Sequence, residues 1–177
     1  IGSLYSAYSL AAIGIVFFGG MLIDRMGPRR ASLLFSVLVT VGAVVVAMAQ
    51  NTWMLFLGRF LFGAGSESLV VAQSAIMSRW FKGKEMALAF GISLTISRLG
   101  TLFSFNTEQL IATYFGSYRT ALWAAALLCL FSLLCNLVYN ALDLRGERAL
   151  KLPEAGAGDR IVFSDIRRFG ASYWYVV

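Results

Sequence analysis

Histidine is absent from the 177 residues, so no imidazole relay operates within this stretch. Cysteine is scarce: Cys129 and Cys135 share one apolar segment, six residues apart. At 100° per residue they point to different helix faces, and neither a disulfide nor a metal site follows. Charge is scarce as well, at 14% of residues, with nine Asp and Glu against fifteen Lys and Arg. The chain has no paired carboxylates, no Ser/His nucleophile arrangement and no metal-ligating cluster. An enzyme is therefore not expected, and no catalytic residue, metal or cofactor is assigned. Strand-like alternation, low-complexity tracts, N-x-S/T acceptors and a basic, cleavable leader are missing too.

What is abundant is apolar sequence. Hydrophobic residues make up 59% and the mean hydropathy is +0.74. Runs of about twenty mostly apolar residues are the signature of membrane-spanning helices. Five are expected, over 4–23, 31–50, 53–79, 85–115 and 118–142. The basic excess has a one-sided placement. Arg25, Arg29 and Arg30 fall in the first loop and Arg79, Lys82 and Lys84 in the third. Arg145, Arg148, Lys151, Arg160, Arg167 and Arg168 fall after the fifth span, whereas Arg119 alone lies on the other side. The positive-inside rule makes the crowded side cytoplasmic. This placement, without interleaved aromatics or strands, argues against a nucleic-acid partner. The aromatics Tyr5, Tyr8, Trp53, Tyr114, Tyr118 and Trp123 lie near span ends, where interfacial anchoring is their plain use.

The expected organisation has three parts. Residues 1–143 form a helical membrane bundle. Residues 144–169, with Pro153, Gly156, Gly158 and mixed charges, read as a cytoplasmic linker. Residues 170–177 begin another apolar segment. Ile1 sits outside under the positive-inside assignment, with no exporting segment before it, so a further helix is expected upstream. Glycines 14, 20, 58, 63, 65, 91 and 100 are candidates for close helix contacts.

Between the first two spans runs Gly20-Met-Leu-Ile-Asp24-Arg25-Met-Gly27-Pro28-Arg29-Arg30. Gly27 and Pro28 suit a turn, Asp24 suits a helix N-terminus, and the arginines hold the cytoplasmic side. This spacing resembles the G-x-x-x-D-R-x-G-x-R-R loop of the major facilitator superfamily. The resemblance implies an all-α, polytopic bundle: helices two to six of that fold, its central loop and the start of helix seven. The partners it implies are a lipid bilayer, a small-molecule substrate, and the missing first helix and C-terminal half of the same protein. It also implies a conformational latch at Gly20, Asp24, Arg25, Gly27, Arg29 and Arg30.

Glu67 and Arg98 lie within the third and fourth apolar segments, each 15.5 residues from the middle of the turn Trp80-Phe81-Lys82-Gly83-Lys84. In an antiparallel hairpin they share a depth of roughly 23 Å. Charges there are expensive and usually face a bundle interior or a water-filled cavity. A carboxylate and a guanidinium at one depth suit the two ends of a small zwitterion; a purely structural ion pair is the alternative. The segments Gly65-Ser66-Glu67-Ser68 and Ser97-Arg98-Leu99-Gly100 resemble the lysosomal dipeptide transporter branch of the superfamily. That likeness implies that Glu67 meets the peptide's amino end and Arg98 its carboxyl end. Arg59 and Glu108 are nearly level, closer to the outer surface, as a structural bridge or a gate. Gln73, Asn106 and Gln109 are weaker candidates, better suited to joining helices.

The expected function is alternating-access transport of dipeptides or similar small zwitterions by the complete protein, the stretch alone being inactive. The rival within transport is an organic-anion or nitrate porter using Arg59 and Arg98. A non-transporting receptor or scaffold on the same fold is the rival of another class. The location expected is the plasma membrane, with a lysosomal membrane as alternative.

Overall fold

The computed structural model describes residues 2–81, 84–115 and 117–150. The expected linker from 151 onward and the apolar stretch 170–177 lie outside the described residues. Five helices follow one another: α1 (Gly2–Met26), α2 (Pro28–Met48), α3 (Thr52–Trp80), α4 (Lys84–Phe115) and α5 (Tyr118–Leu150). Among the described residues there is no strand. Among the described residues, four helices are long and apolar enough to cross a membrane: Pro28–Met48, Thr52–Trp80, Glu85–Thr107 and Tyr118–Gly146. The expected all-α architecture is what the chain adopts. The boundaries differ by up to three residues except at the fifth span, expected to end at 142, where α5 continues to Leu150. Charges at Asp143, Arg145 and Glu147 end the apolar run without interrupting the backbone ladder.

The interior is mostly small residues with several hydroxyls, and the exterior is large and apolar. Ala31, Ala43, Ala47, Ala64, Ala72, Ala121 and Ala126 are buried, with Ser32, Ser36, Thr40 and Ser68, whereas Phe105, Phe103 and Leu128 stand exposed. Lipid is as apolar as leucine, so helices associate through close packing and hydrogen bonds rather than hydrophobic exclusion. Trp53, Tyr114 and Tyr118, exposed at helix ends, occupy positions suited to an interfacial belt.

α2 is the middle of the assembly. It packs most extensively on α3 and next on α5, and α1 lies against α3. Ile23, Ala31, Phe35 and Ala72 form one core, joining α1, α2 and α3. Ala43, Ala47 and Ala126 form a second, joining α2 to α5, with Phe62 of α3 against it. α4 has the loosest fit, touching α5 and α3 lightly.

A polar seam fastens α2 to α5. The Asn136 side-chain amide donates to the Ser32 carbonyl at 3.0 Å and to Ser36 Oγ. Within α5, Asn140 Nδ2 donates to Asn136 Oδ1 at 2.8 Å, and across the seam Thr40 Oγ1 donates to the Cys129 carbonyl at 3.3 Å.

The glycine expectations divide. Gly58 and Gly65 do lie at backbone contacts between α3 and α2, but nothing comes within 4 Å of a Cβ built at Gly14, Gly20, Gly91 or Gly100. The close approaches that the sequence did not disclose are at Gly19, against Ser68, and at Gly42, against Phe62. At the first turn, Gly27 has φ 82° and ψ 150° and serves as N-cap of α2, with Pro28 entering the helix. Those dihedrals fall near a region that only glycine visits cheaply. Gly27→Val is therefore expected to lower thermal stability by roughly 1–3 kcal/mol. Gly20→Ala, into open space, should leave the melt of the purified complete protein unchanged. Equal melts for the two variants would refute this account of the turn.

Candidate functional site

Glu67 and Arg98 sit on consecutive antiparallel helices. Glu67 lies thirteen residues before the last residue of α3 and Arg98 fourteen after the first of α4. Helical rise then gives each a depth of about 20 Å from the connecting turn. On α3, Gly65 faces α2, and Glu67 is 200° further round, on the face turned from that contact. Glu67 is half-buried and Arg98 exposed. Among the described residues no salt bridge joins these two. The α3–α4 contact is light.

The local chemistry of α3 keeps its surface low around Glu67. Gly63, Ala64 and Gly65 are buried, and Ser66 Oγ donates to the Gly63 carbonyl at 3.1 Å. Ser68 is fully buried, its Oγ without a hydrogen-bond partner, pressed against Gly19 of α1. On α4 the hydroxyls serve their own helix: Thr95 Oγ1 donates to the Gly91 carbonyl at 2.9 Å and Thr101 Oγ1 to the Ser97 carbonyl at 3.0 Å. Asn106 does likewise, donating to the Leu102 carbonyl at 2.9 Å. Gln73 is exposed. Arg59 is exposed near the outer end of α3, and the side chains of Glu108 and Gln109 lie outside the described residues. A cavity of about 190 Å³ between α2, α3 and α5, lined by Ser36, Val39, Leu69, Leu128, Cys129 and Ser132, contains neither Glu67 nor Arg98.

The latch residues separate into two groups. Asp24, Arg25 and Arg30 are exposed. Asp24 does not cap α2, whose N-terminus has no side-chain cap, because Gly27 and Pro28 already set the entry. Arg29 instead turns inward, with Nη1 4.0 Å from Asp143 Oδ2 and only 20% of its side chain exposed. Asp143 is the site residue that the sequence reading missed. Its side chain is 2% exposed. Its Oδ1 accepts from Trp80 Nε1 at 2.9 Å and from the Tyr139 hydroxyl at 3.1 Å. The available signal was the stripe Asn136, Asn140, Asp143 at three- and four-residue spacing, which puts three polar groups on one face of an otherwise apolar helix.

A bundle of long apolar helices joined through small and polar interior residues defines a multi-pass membrane protein. The comparisons specify it further. Residues 1–175 match the Major Facilitator Superfamily, and the chain belongs to that family. It is 38% identical to the lysosomal dipeptide transporter MFSD1 of Danio rerio, over 98% of this chain and 40% of that protein. It is 36% identical to the protein of the same name in Homo sapiens, over 98% and 40%. A probable anion transporter 2, chloroplastic, of Oryza sativa subsp. japonica is 29% identical over 82% of this chain and 28% of its own length. The chain thus spans about 40% of the dipeptide transporters it resembles. These relatives point to transport rather than catalysis. No solved structure matches.

Proposed function

We propose that the complete protein moves dipeptides, or small zwitterions of the same shape, across a lysosomal membrane by alternating access. The observation that supports this reading is the equal depth of Glu67 and Arg98 on consecutive antiparallel helices. A dipeptide presents an ammonium and a carboxylate on the order of 5–6 Å apart. Glu67 binds the ammonium, and the Arg98 fork binds the carboxylate. The names of the relatives at 36–38% identity support the substrate class and favour the lysosome over the plasma membrane. Asp24, Arg25 and Arg30 supply the exposed part of the latch.

The test is ligand-induced thermal stabilisation of the purified complete protein. Dipeptides with both ends free should raise the melting temperature, and end-blocked dipeptides, free amino acids, nitrate and organic anions should not. A second reading, an anion porter using Arg98 and Arg59, draws on the exposure of both arginines and on the rice relative. Stabilisation by anions alone would establish it and remove the dipeptide reading. Flux in vesicles separates a transporter from a receptor.

A further inference from the structure

We propose that the Trp80–Asp143 hydrogen bond is a strut that sets the α3–α4 hairpin, making Trp80 and Asp143 positioning residues for the Glu67–Arg98 pair. The inference rests on the transport reading only for its effect on substrate; the strut stands on its own geometry.

α2 lies between α3 and α5, and among the described residues the backbones of those outer two helices do not pack on each other. Trp80, the last residue of α3, crosses the space with its indole and donates to Asp143 Oδ1 at 2.9 Å. The far edge of the same ring rests against Gly146, where a Cβ would come within 3.1 Å of it. Both the hydrogen bond and the packing therefore fix the indole on α5.

Asp143 is well suited to hold it. A carboxylate buried this fully is costly unless its oxygens are occupied. Oδ1 takes two neutral donors and Oδ2 faces Arg29. The contact with Arg29, at 4.0 Å, is longer than a hydrogen bond, so the neutral donors set the position of the group. α2 and α5 are already joined by the bonds from Asn136 to Ser32 and Ser36. What Asp143 adds is the tie to α3.

The consequence runs through the turn. Trp80 ends α3, Phe81 follows as its C-cap, and α4 begins at Lys84. α4 has few contacts of its own to place it. The level of Arg98 relative to Glu67 therefore depends on where this turn starts, and the indole anchors its start. A substrate held at both ends senses any loosening, because both contacts must be made at once.

The experiment uses the complete protein with spin labels at Gln73 on α3 and Leu88 on α4, both exposed, and compares Trp80→Phe, Asp143→Leu and Asp143→Asn. Trp80→Phe keeps an aromatic ring at the end of α3 and loses both the donor and the edge against Gly146, so it tests the strut even if Asp143→Leu does not fold. The substrate-free α3–α4 distance distribution should broaden in Trp80→Phe and Asp143→Leu and stay narrow in Asp143→Asn, whose amide oxygen still accepts. Preference for a free dipeptide over its N-blocked form should fall about 2- to 10-fold in Trp80→Phe, as expected for one neutral hydrogen bond. Maximal flux should stay close to wild type. A distribution as narrow in Trp80→Phe as in the wild type would overturn the strut. Broadening with the preference intact would overturn its role in positioning. If the wild type shows no dipeptide preference, the transport reading fails and the distances alone decide the strut.

Discussion

Gly42→Ala is expected to destabilise the bundle by roughly 1–3 kcal/mol, the range for overpacking a filled interface. A Cβ at Gly42 would lie 2.5 Å from the backbone nitrogen of Phe62, 2.8 Å from its Cα and 3.1 Å from the Gly58 carbonyl oxygen. These are backbone atoms, and no rotamer change moves them aside. α2 and α3 have to separate, along the most extensive helix contact in the molecule. Gly58 and Gly65 repeat the arrangement from the other side, against the backbone nitrogens of Val46 and Val39 at 2.9 and 2.8 Å. In helix interiors alanine is otherwise favoured over glycine by about 0.5–1 kcal/mol. Gly91→Ala and Gly100→Ala, with open space around both positions, should accordingly melt at or slightly above wild type. Thermal unfolding in detergent makes the comparison. A Gly42→Ala protein that melts with the Gly91→Ala control would show that the two helices tolerate separation.

The helices were legible because membrane spans are written in long apolar runs separated by charged or polar turns, and α2, α3 and α4 begin and end within a few residues of the expectation. The inward faces were harder. An all-round apolar helix carries no amphipathic stripe to separate inside from outside. The cue is size instead of polarity. On α2 the buried set is Ala31, Ser32, Phe35, Ser36, Thr40, Gly42, Ala43, Val46 and Ala47, a mostly small stripe recurring every three to four residues. A reading that counts glycines without this phase takes Gly20 for a contact and passes over Gly19 and Gly42.

The charged residues show the same division. Glu67 and Arg98 stand out because a charge in an apolar run is conspicuous in one dimension, and the common depth follows from counting residues. Asp143 does not stand out, because it sits where a span was expected to end and a charge there is ordinary. Its importance comes from Trp80, 63 residues away, and Arg29 in the first turn. No local pattern couples those three. The motif reading treats Arg25, Arg29 and Arg30 alike; burial and a carboxylate partner separate Arg29 from the other two.

Glu67→Gln and Arg98→Gln should change opposite ends of ligand specificity. In the wild type, acetylating the amino end of a dipeptide removes the ammonium and leaves Glu67 facing an uncharged group. Amidating the carboxyl end does the same to Arg98. A charge-assisted contact contributes about 1.5–3 kcal/mol, or roughly 10- to 150-fold in affinity. The wild type should discriminate against each blocked form by that order. Glu67→Gln keeps the shape and loses the charge, so it should bind free and N-acetylated dipeptides nearly alike and still reject the amidated one. Arg98→Gln should reverse the pattern, tolerating the amide and rejecting the acetyl form. A structural ion pair predicts something else: both variants would lower the melting temperature without ligand, and all ligands would weaken together. Calorimetric binding of the three peptides to the three complete proteins distinguishes these cases, and retention of wild-type discrimination by both variants would eliminate the clamp. The crossed pattern is diagnostic because specificity is a difference between affinities. A two-ended clamp ties each blocked end to its own residue, which general loosening of the bundle does not.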